Sequence, residues 1–119
     1  MTVLAYGTMV HVSLAAALDT GIDAEVIDLR TLWPVDMEAI MQSIEKTGRC
    51  VIVHEGARRA GFGAEIAAEI AERALTSLLA PVERVTGYDT VMPLPRLERE
   101  YLPTTTRVVD ACRRAYLYR

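Results

Sequence analysis

The sequence predicts an α/β sandwich built on a mostly parallel sheet, and three observations carry that prediction. Short apolar runs of strand length alternate with longer segments of helical periodicity. One of those runs, Cys50 to Val53, is apolar at every position, as suits a strand covered on both faces. The 119 residues, 51% hydrophobic and 24% charged, amount to a single ordinary globular domain over 1–119. Such a chain can bury roughly two-thirds of its extended surface.

Each element has its own local signature. Thr2 to Tyr6 is short and apolar and ends at Gly7, reading as the first strand. Thr8 offers a cap, and Val10, Leu14, Ala17 and Leu18 recur at helical spacing until Asp19-Thr20-Gly21 stops the helix. Ala24 to Leu29 is the second strand, and Leu32-Trp33-Pro34 turns the chain. Asp36 then caps a helix with Met37, Ile40, Met41 and Ile44 on one side, and Gly48 supplies the left-handed residue that ends it. After the third strand and the loop from Gly56 to Gly63, a long helix to Leu78 carries an inward stripe of Ile66, Ile70, Ala74 and Leu78. Its Glu65, Glu69, Glu72 and Arg73 face water. Pro81 to Val85 is the fourth strand, Gly87 to Pro103 is irregular, and Thr104 to Tyr116 is a last helix with Val108, Val109, Cys112 and Tyr116 inward. Right-handed crossovers place helices on both faces of the sheet.

Composition excludes several classes of function. A formal charge of -3 argues against a dedicated nucleic-acid binder, whose affinity rests on neutralising phosphates. No apolar run approaches the ~20 residues of a membrane span. Met1-Thr2-Val3-Leu4-Ala5 has neither a basic leader nor a cleavage site, so no secretory signal is expected. Cys50 and Cys112 are too few and too far apart for a metal cluster, and their apolar settings predict buried free thiols in a reducing cytoplasm.

In an open parallel sheet, ligands bind beyond the carboxyl ends of the strands. The third strand ends there in His54-Glu55-Gly56, followed by Arg58, Arg59, Gly61 and Gly63. These residues could do acid-base work or hold a phosphate. Equally, His54 and Glu55 could pair with loop backbone while the glycines permit a tight turn. Gly61-Phe62-Gly63 lacks the third glycine of a dinucleotide fingerprint and follows the wrong strand. His11 reads as an exposed polar residue, and Ser13, Ser43 and Ser77 fall in helices rather than in a nucleophile elbow. Arg107, Arg113, Arg114 and Arg119 complement the dipole of the last helix or form a binding patch. Tyr88, Tyr101, Tyr116 and Tyr118 add aromatic surface of the kind that interfaces use.

Beyond periodicity, the order of particular residues is informative. Asp28-Leu29-Arg30-Thr31-Leu32, Pro34, Asp36, Ile40, Ser43 and Lys46-Thr47-Gly48-Arg49 together resemble the C-terminal domain of the transketolase-like family. His54-Glu55, Gly61-Phe62-Gly63-Ala64-Glu65-Ile66, Ala80-Pro81-Val82, Arg84-Val85-Thr86-Gly87-Tyr88-Asp89 and Tyr101-Leu102-Pro103 narrow the likeness. They resemble the beta subunit of the decarboxylating first component of 2-oxo acid dehydrogenase complexes. His54-Glu55 and Gly87-Tyr88-Asp89 favour the branched-chain type over the pyruvate type.

The resemblance implies a three-layer α/β/α sandwich with a five-stranded mixed sheet, one strand antiparallel, the extra strand falling between Gly87 and Pro103. It implies an assembly of alpha and beta subunits in which thiamine diphosphate and magnesium lie between other domains. The complete enzyme decarboxylates a branched-chain 2-oxo acid or pyruvate and passes the acyl group to a lipoyl arm. The family's Gly-Asp-Gly and downstream Asn, which hold the diphosphate and magnesium, have no counterpart, for the chain contains no Asn. No catalytic, cofactor-binding or metal residue therefore carries over. The implied role is assembly and docking, with the alpha subunit, a second beta subunit and the subunit-binding domain of the dihydrolipoyl acyltransferase as partners. Glu55, Glu83, Asp89 and Glu98 are the acidic candidates for the docking contact. The chain is expected to be one domain of a longer subunit, bacterial and cytoplasmic, inactive alone. The alternatives are a free-standing phosphate- or small-ligand-binding module on His54, Arg58, Arg59 and Gly61 to Gly63, or the equivalent domain of a transketolase-like synthase.

Overall fold

The computed structural model describes residues 1–119. Four short strands form one sheet: β1 (Thr2–Ala5), β2 (Glu25–Asp28), β3 (Cys50–Val53) and β4 (Glu83–Val85). Their order is β2-β1-β3-β4, and every pairing is parallel. At the centre Thr2 pairs with Cys50 and Ala5 with Val53. All eight side chains of β1 and β3 are buried.

The two-residue period of the strands sorts those side chains into two cores. Val3, Ala5, Val51, Val53 and Val85 point to one face, where α1 (Met9–Thr20) and α5 (Thr105–Leu117) cover them. Leu4, Cys50 and Ile52 point to the other, under α2 (Met37–Thr47) and α3 (Phe62–Ala74). A three-layer α/β/α sandwich results, as the sequence predicts.

Local chemistry sets the helix ends. The Asp36 carboxylate accepts a hydrogen bond from Ala39 N–H at 3.0 Å, satisfying a donor that an uncapped first turn would leave free. Gly21 and Gly48 close α1 and α2 with φ of 66° and 69°. The amino ends of the strands are tied to α2 by hydroxyls. Thr2 Oγ1 lies 2.6 Å from Ser43 Oγ and 2.7 Å from Thr47 Oγ1. Ser43 in turn donates to Glu25 at 2.6 Å, and this bond holds the Glu25 carboxyl below its usual range, with Lys46 adding to the effect.

Several sequence expectations require correction. The sheet has four parallel strands rather than five mixed ones, because the stretch after Gly87 forms no strand and contains only the short helix α4 (Glu98–Tyr101). Prolines at 93, 95 and 103 withhold the ladder donors that a strand there would need. In α1 the buried residues are Met9, Ser13 and Ala16, while Leu14 and Leu18 face outward. Met9 and Ala16 join Val108, Ala111, Cys112 and Ala115 of α5 in one core, so the face of α1 turned toward α5 and the sheet is not the leucine stripe. In α5 the inward position belongs to Ala115, and Tyr116 is half exposed beneath the Arg49 guanidinium, 5.7 Å from the ring centroid. The helix α3 ends at Ala74 in a short 3-10 turn, leaving Leu78 only partly buried.

Gly48 gives a direct test of the α2 terminus. A Cβ there would stand 2.7 Å from Leu79 Cδ1, on a backbone with φ of 69°. Gly48→Ala is expected to lower the unfolding free energy by about 1–2 kcal/mol, read as a fall in the urea midpoint at constant m-value.

Candidate functional site

The strand order reverses between β1 and β3, because the chain passes from β1 to the neighbour on one side and from β3 to the neighbour on the other. The crevice beyond the carboxyl ends of those two strands is where sheets of this kind place ligands. Tyr6, Gly7 and Thr8 leave β1 there, and His54 and Glu55 leave β3. Thr8 Oγ1 donates to Glu55 across the gap at 2.5 Å. The Tyr6 ring lies nearly parallel to the imidazole of His54, with centroids 5.8 Å apart, and Phe62 meets Tyr6 edge-on at 6.3 Å.

His54 is fully buried, and neither ring nitrogen has a hydrogen-bond partner. It does not pair with loop backbone through its side chain; only its main-chain N–H bonds, to Val85 O at 3.1 Å. The glycines explain the enclosure. A Cβ on Gly61 would stand 3.0 Å from His54 Cε1, and one on Gly63 would overlap Nε2. The turn opening α3 is thus a socket for the imidazole. Burial pushes the His54 pKa below its ordinary value, and the charge of Arg84 on β4 acts in the same direction. Burial raises the Tyr6 pKa, helped by Glu55.

No other reactive group joins this crevice. Cys50 is buried and its pKa is pushed up to about 12, and burial raises that of Cys112. Both are the closed thiols the sequence predicts. Ser13 is buried in α1 and Ser43 is bound to Thr2 and Glu25. Arg58 donates to Arg84 O at 2.9 Å, and Arg59 donates its N–H to Asp89 at 2.7 Å. The fold therefore disperses His54, Arg58 and Arg59 instead of gathering them on one ligand.

The carboxyl edge instead presents apolar surface. Trp33, on the loop after β2, is 90% exposed. With Leu32, Val35 and Phe62 it lines an open cavity of about 320 Å³. On the loop after β4, Val91 and Leu94 are 87% and 83% exposed. A second cavity of about 380 Å³ lies between Tyr88, Val91, Pro93, Leu97 and Tyr101. The two cavities thus lie on the loops that follow the two edge strands, β2 and β4.

The four acidic candidates have different settings. Glu55 and Asp89 stand on loops at the carboxyl edge, joined by the Gly87 N–H to Gly56 O bond at 3.0 Å. Glu83 begins β4 and is bound by Arg114 at 2.8 Å. Glu98 is exposed at the start of α4. Sequence reasoning missed Tyr6 as the partner of His54, because only the alignment of β1 with β3 brings them together. It also missed the convergence of arginines from β4 and α5, since their spacing along the chain carries no motif.

The chain resembles known proteins over nearly its whole length. A family model described as "Transketolase, C-terminal domain" matches residues 1–108. The 2-oxoisovalerate dehydrogenase subunit beta of Pseudomonas aeruginosa is 54% identical over 114 residues, 96% of this chain and 32% of that protein. The pyruvate dehydrogenase E1 component subunit beta of Bacillus subtilis is 45% identical over 117 residues, 96% of this chain and 36% of that protein. A solved structure titled split gene transketolase, inactive beta4 tetramer, superposes with a TM-score of 0.82 at 31% identity, over 99% of this chain and 39% of that one. The chain spans about a third of the length of the curated relatives it matches.

His54 makes the stability sensitive to acid. Its native pKa lies below the unfolded value of about 6.5, so the unfolded chain binds more protons as pH falls past that value, and stability falls with it. The urea midpoint is expected to drop between pH 7 and pH 5, and to drop less in His54→Gln than in the parent. An equal drop in both would assign the acid sensitivity to other groups.

Proposed function

The chain belongs to the transketolase C-terminal domain family, and we propose that it serves as the assembly and partner-docking domain of a 2-oxo acid dehydrogenase beta subunit. The complete complex is read as oxidatively decarboxylating a branched-chain 2-oxo acid or pyruvate onto a lipoyl arm. Identity to the branched-chain relative, 54% against 46% and 45% for the pyruvate-type relatives, favours the branched-chain substrate. The observation that carries the docking role is the apolar carboxyl edge, where Trp33, Val91 and Leu94 stand in water beside a crevice with no reactive constellation. Residues 1–119 are read as one module of a longer subunit, working in the bacterial cytoplasm; no helix is long and apolar enough to cross a membrane.

In the complete enzyme, thiamine diphosphate supplies the carbanion chemistry of decarboxylation, and magnesium binds its diphosphate. The residues of this chain do not fit that group. No three His, Cys, Asp or Glu side chains converge as metal ligands, there is no Asn, and the glycine turn at α3 is filled by His54. The cofactor is assigned to other domains of the assembly, and this domain contributes contacts. Among those contacts we place the alpha subunit, a second beta subunit and the acyltransferase's subunit-binding domain. Of the acidic candidates, Glu55 and Asp89 share the apolar edge, Asp89 being paired with Arg59, while Glu83 is paired with Arg114.

Sedimentation of the 119-residue chain is expected to show self-association or capture by the acyltransferase's subunit-binding domain. Trp33→Ser and Leu94→Ser, both at exposed positions, should weaken that association several-fold without lowering the melting temperature. A strict monomer that ignores that partner would overturn the reading. Calorimetric titration with thiamine diphosphate and magnesium is expected to give no binding to this chain, and micromolar binding would contradict the assignment of the cofactor elsewhere.

A further inference from the structure

Four of the twelve arginines in this net-negative chain line one small cavity. Arg58, Arg84, Arg107 and Arg114, with Val85 and Asp110, line an open cavity of about 230 Å³. They come from three places: the loop before α3, the strand β4, and α5. Only Arg114 is bound by a carboxylate, through Nε and Nη2 to Glu83 at 3.3 and 2.8 Å. The others are held by main-chain carbonyls. Arg58 donates to Arg84 O at 2.9 Å, and Arg84 donates back to Arg58 O at 3.1 Å. Arg107 donates to Thr86 O at 2.6 Å and lies over the Tyr88 ring, 4.8 Å from its centroid.

Carbonyl acceptors orient a guanidinium without neutralising it. Each guanidinium has five N–H donors, and the bonds named here leave several of them free on Arg58, Arg84 and Arg107. Even with Asp110 in the wall and Glu83 on Arg114, positive charge is in excess. Like charges that line one cavity repel one another, and a bound anion would offset that repulsion. Much of the side-chain entropy that an anion would otherwise have to remove is already lost to the carbonyl bonds. Forked, fixed guanidiniums are the donors that match the oxygens of phosphate. An open cavity of about 230 Å³ has room for a phosphoryl group.

We propose that the cavity between Arg58, Arg84, Arg107 and Arg114 is a binding site for a small phosphate-class oxyanion. The anion is either inorganic phosphate or the phosphoryl group of a small metabolite. The site is separate from the apolar docking face and from the His54 socket, and it does not depend on the proposed docking role.

Calorimetry and thermal melting of the 119-residue chain test this, with inorganic phosphate and glycerol 3-phosphate as probes against chloride at matched ionic strength. Saturable binding is expected, with a melting temperature that rises once the probe exceeds its dissociation constant. Binding of phosphate but not the ester identifies a site for the free ion, and binding of the ester identifies a metabolite site; either supports the proposal. Arg58→Gln and Arg114→Gln should each weaken binding at least fivefold, and Arg58→Lys less so. Arg113→Gln, the same charge change outside this cavity, should leave affinity unaltered. Asp110→Asn should tighten binding at least twofold, a gain that a folding defect does not produce. No saturable response to either probe beyond chloride, or an equal loss in Arg113→Gln, would overturn the proposal.

Discussion

The parallel pairing of β1 with β3 is the constraint from which the rest of the structure follows. Eight short-strand residues, Thr2 to Ala5 and Cys50 to Val53, are buried on both faces. A parallel pair of this kind cannot leave one face wet. Leu4, Cys50 and Ile52 therefore require α2 and α3 on one side, and Val3, Ala5, Val51 and Val53 require α1 and α5 on the other. The same pairing puts Tyr6 beside His54 and Thr8 beside Glu55, because the residues that follow two strands in register leave the sheet side by side.

That juxtaposition lies where α/β sheets often keep their chemistry, yet here it has been closed. His54 is wrapped by Gly61 and Gly63 and faced by Tyr6. An imidazole without partners in such a place is a packing element whose neutral form is favoured. Around the crevice run the loops that follow β2 and β4. Those loops expose Trp33, Val91 and Leu94, surface that costs free energy in water and that a protein partner would cover.

The arginines around β4 divide between two kinds of holding. Arg59 and Arg114 are bound by Asp89 and Glu83 at the surface, pairs of small energetic consequence. Arg58, Arg84 and Arg107 are held by carbonyls and keep their charge. A chain with a net charge of -3 can thus carry a local excess of positive charge without its overall balance revealing it.

Much of this was legible along the chain. The apolar run at Cys50 to Val53, the Asp36 cap, the Gly48 terminator and the stripe of Met37, Ile40, Met41 and Ile44 each rest on local chemistry and stand as read. The family likeness was also readable from the order of residues along the chain, and the family match over residues 1–108 agrees with it. Other features were decided by neighbours distant in sequence. Leu14 and Leu18 face outward because it is the face of α1 with Met9, Ser13 and Ala16 that is turned inward, where Met9 and Ala16 join the core of α5. His54 is buried because glycines seven and nine residues later close on its ring. Arg58 meets Arg84 and Arg107 only because β4 lies beside β3 under α5. Propensity, capping and periodicity act within a few residues, so they can be read from the chain; burial, charge neutralisation and the reach of a guanidinium depend on what the fold brings alongside.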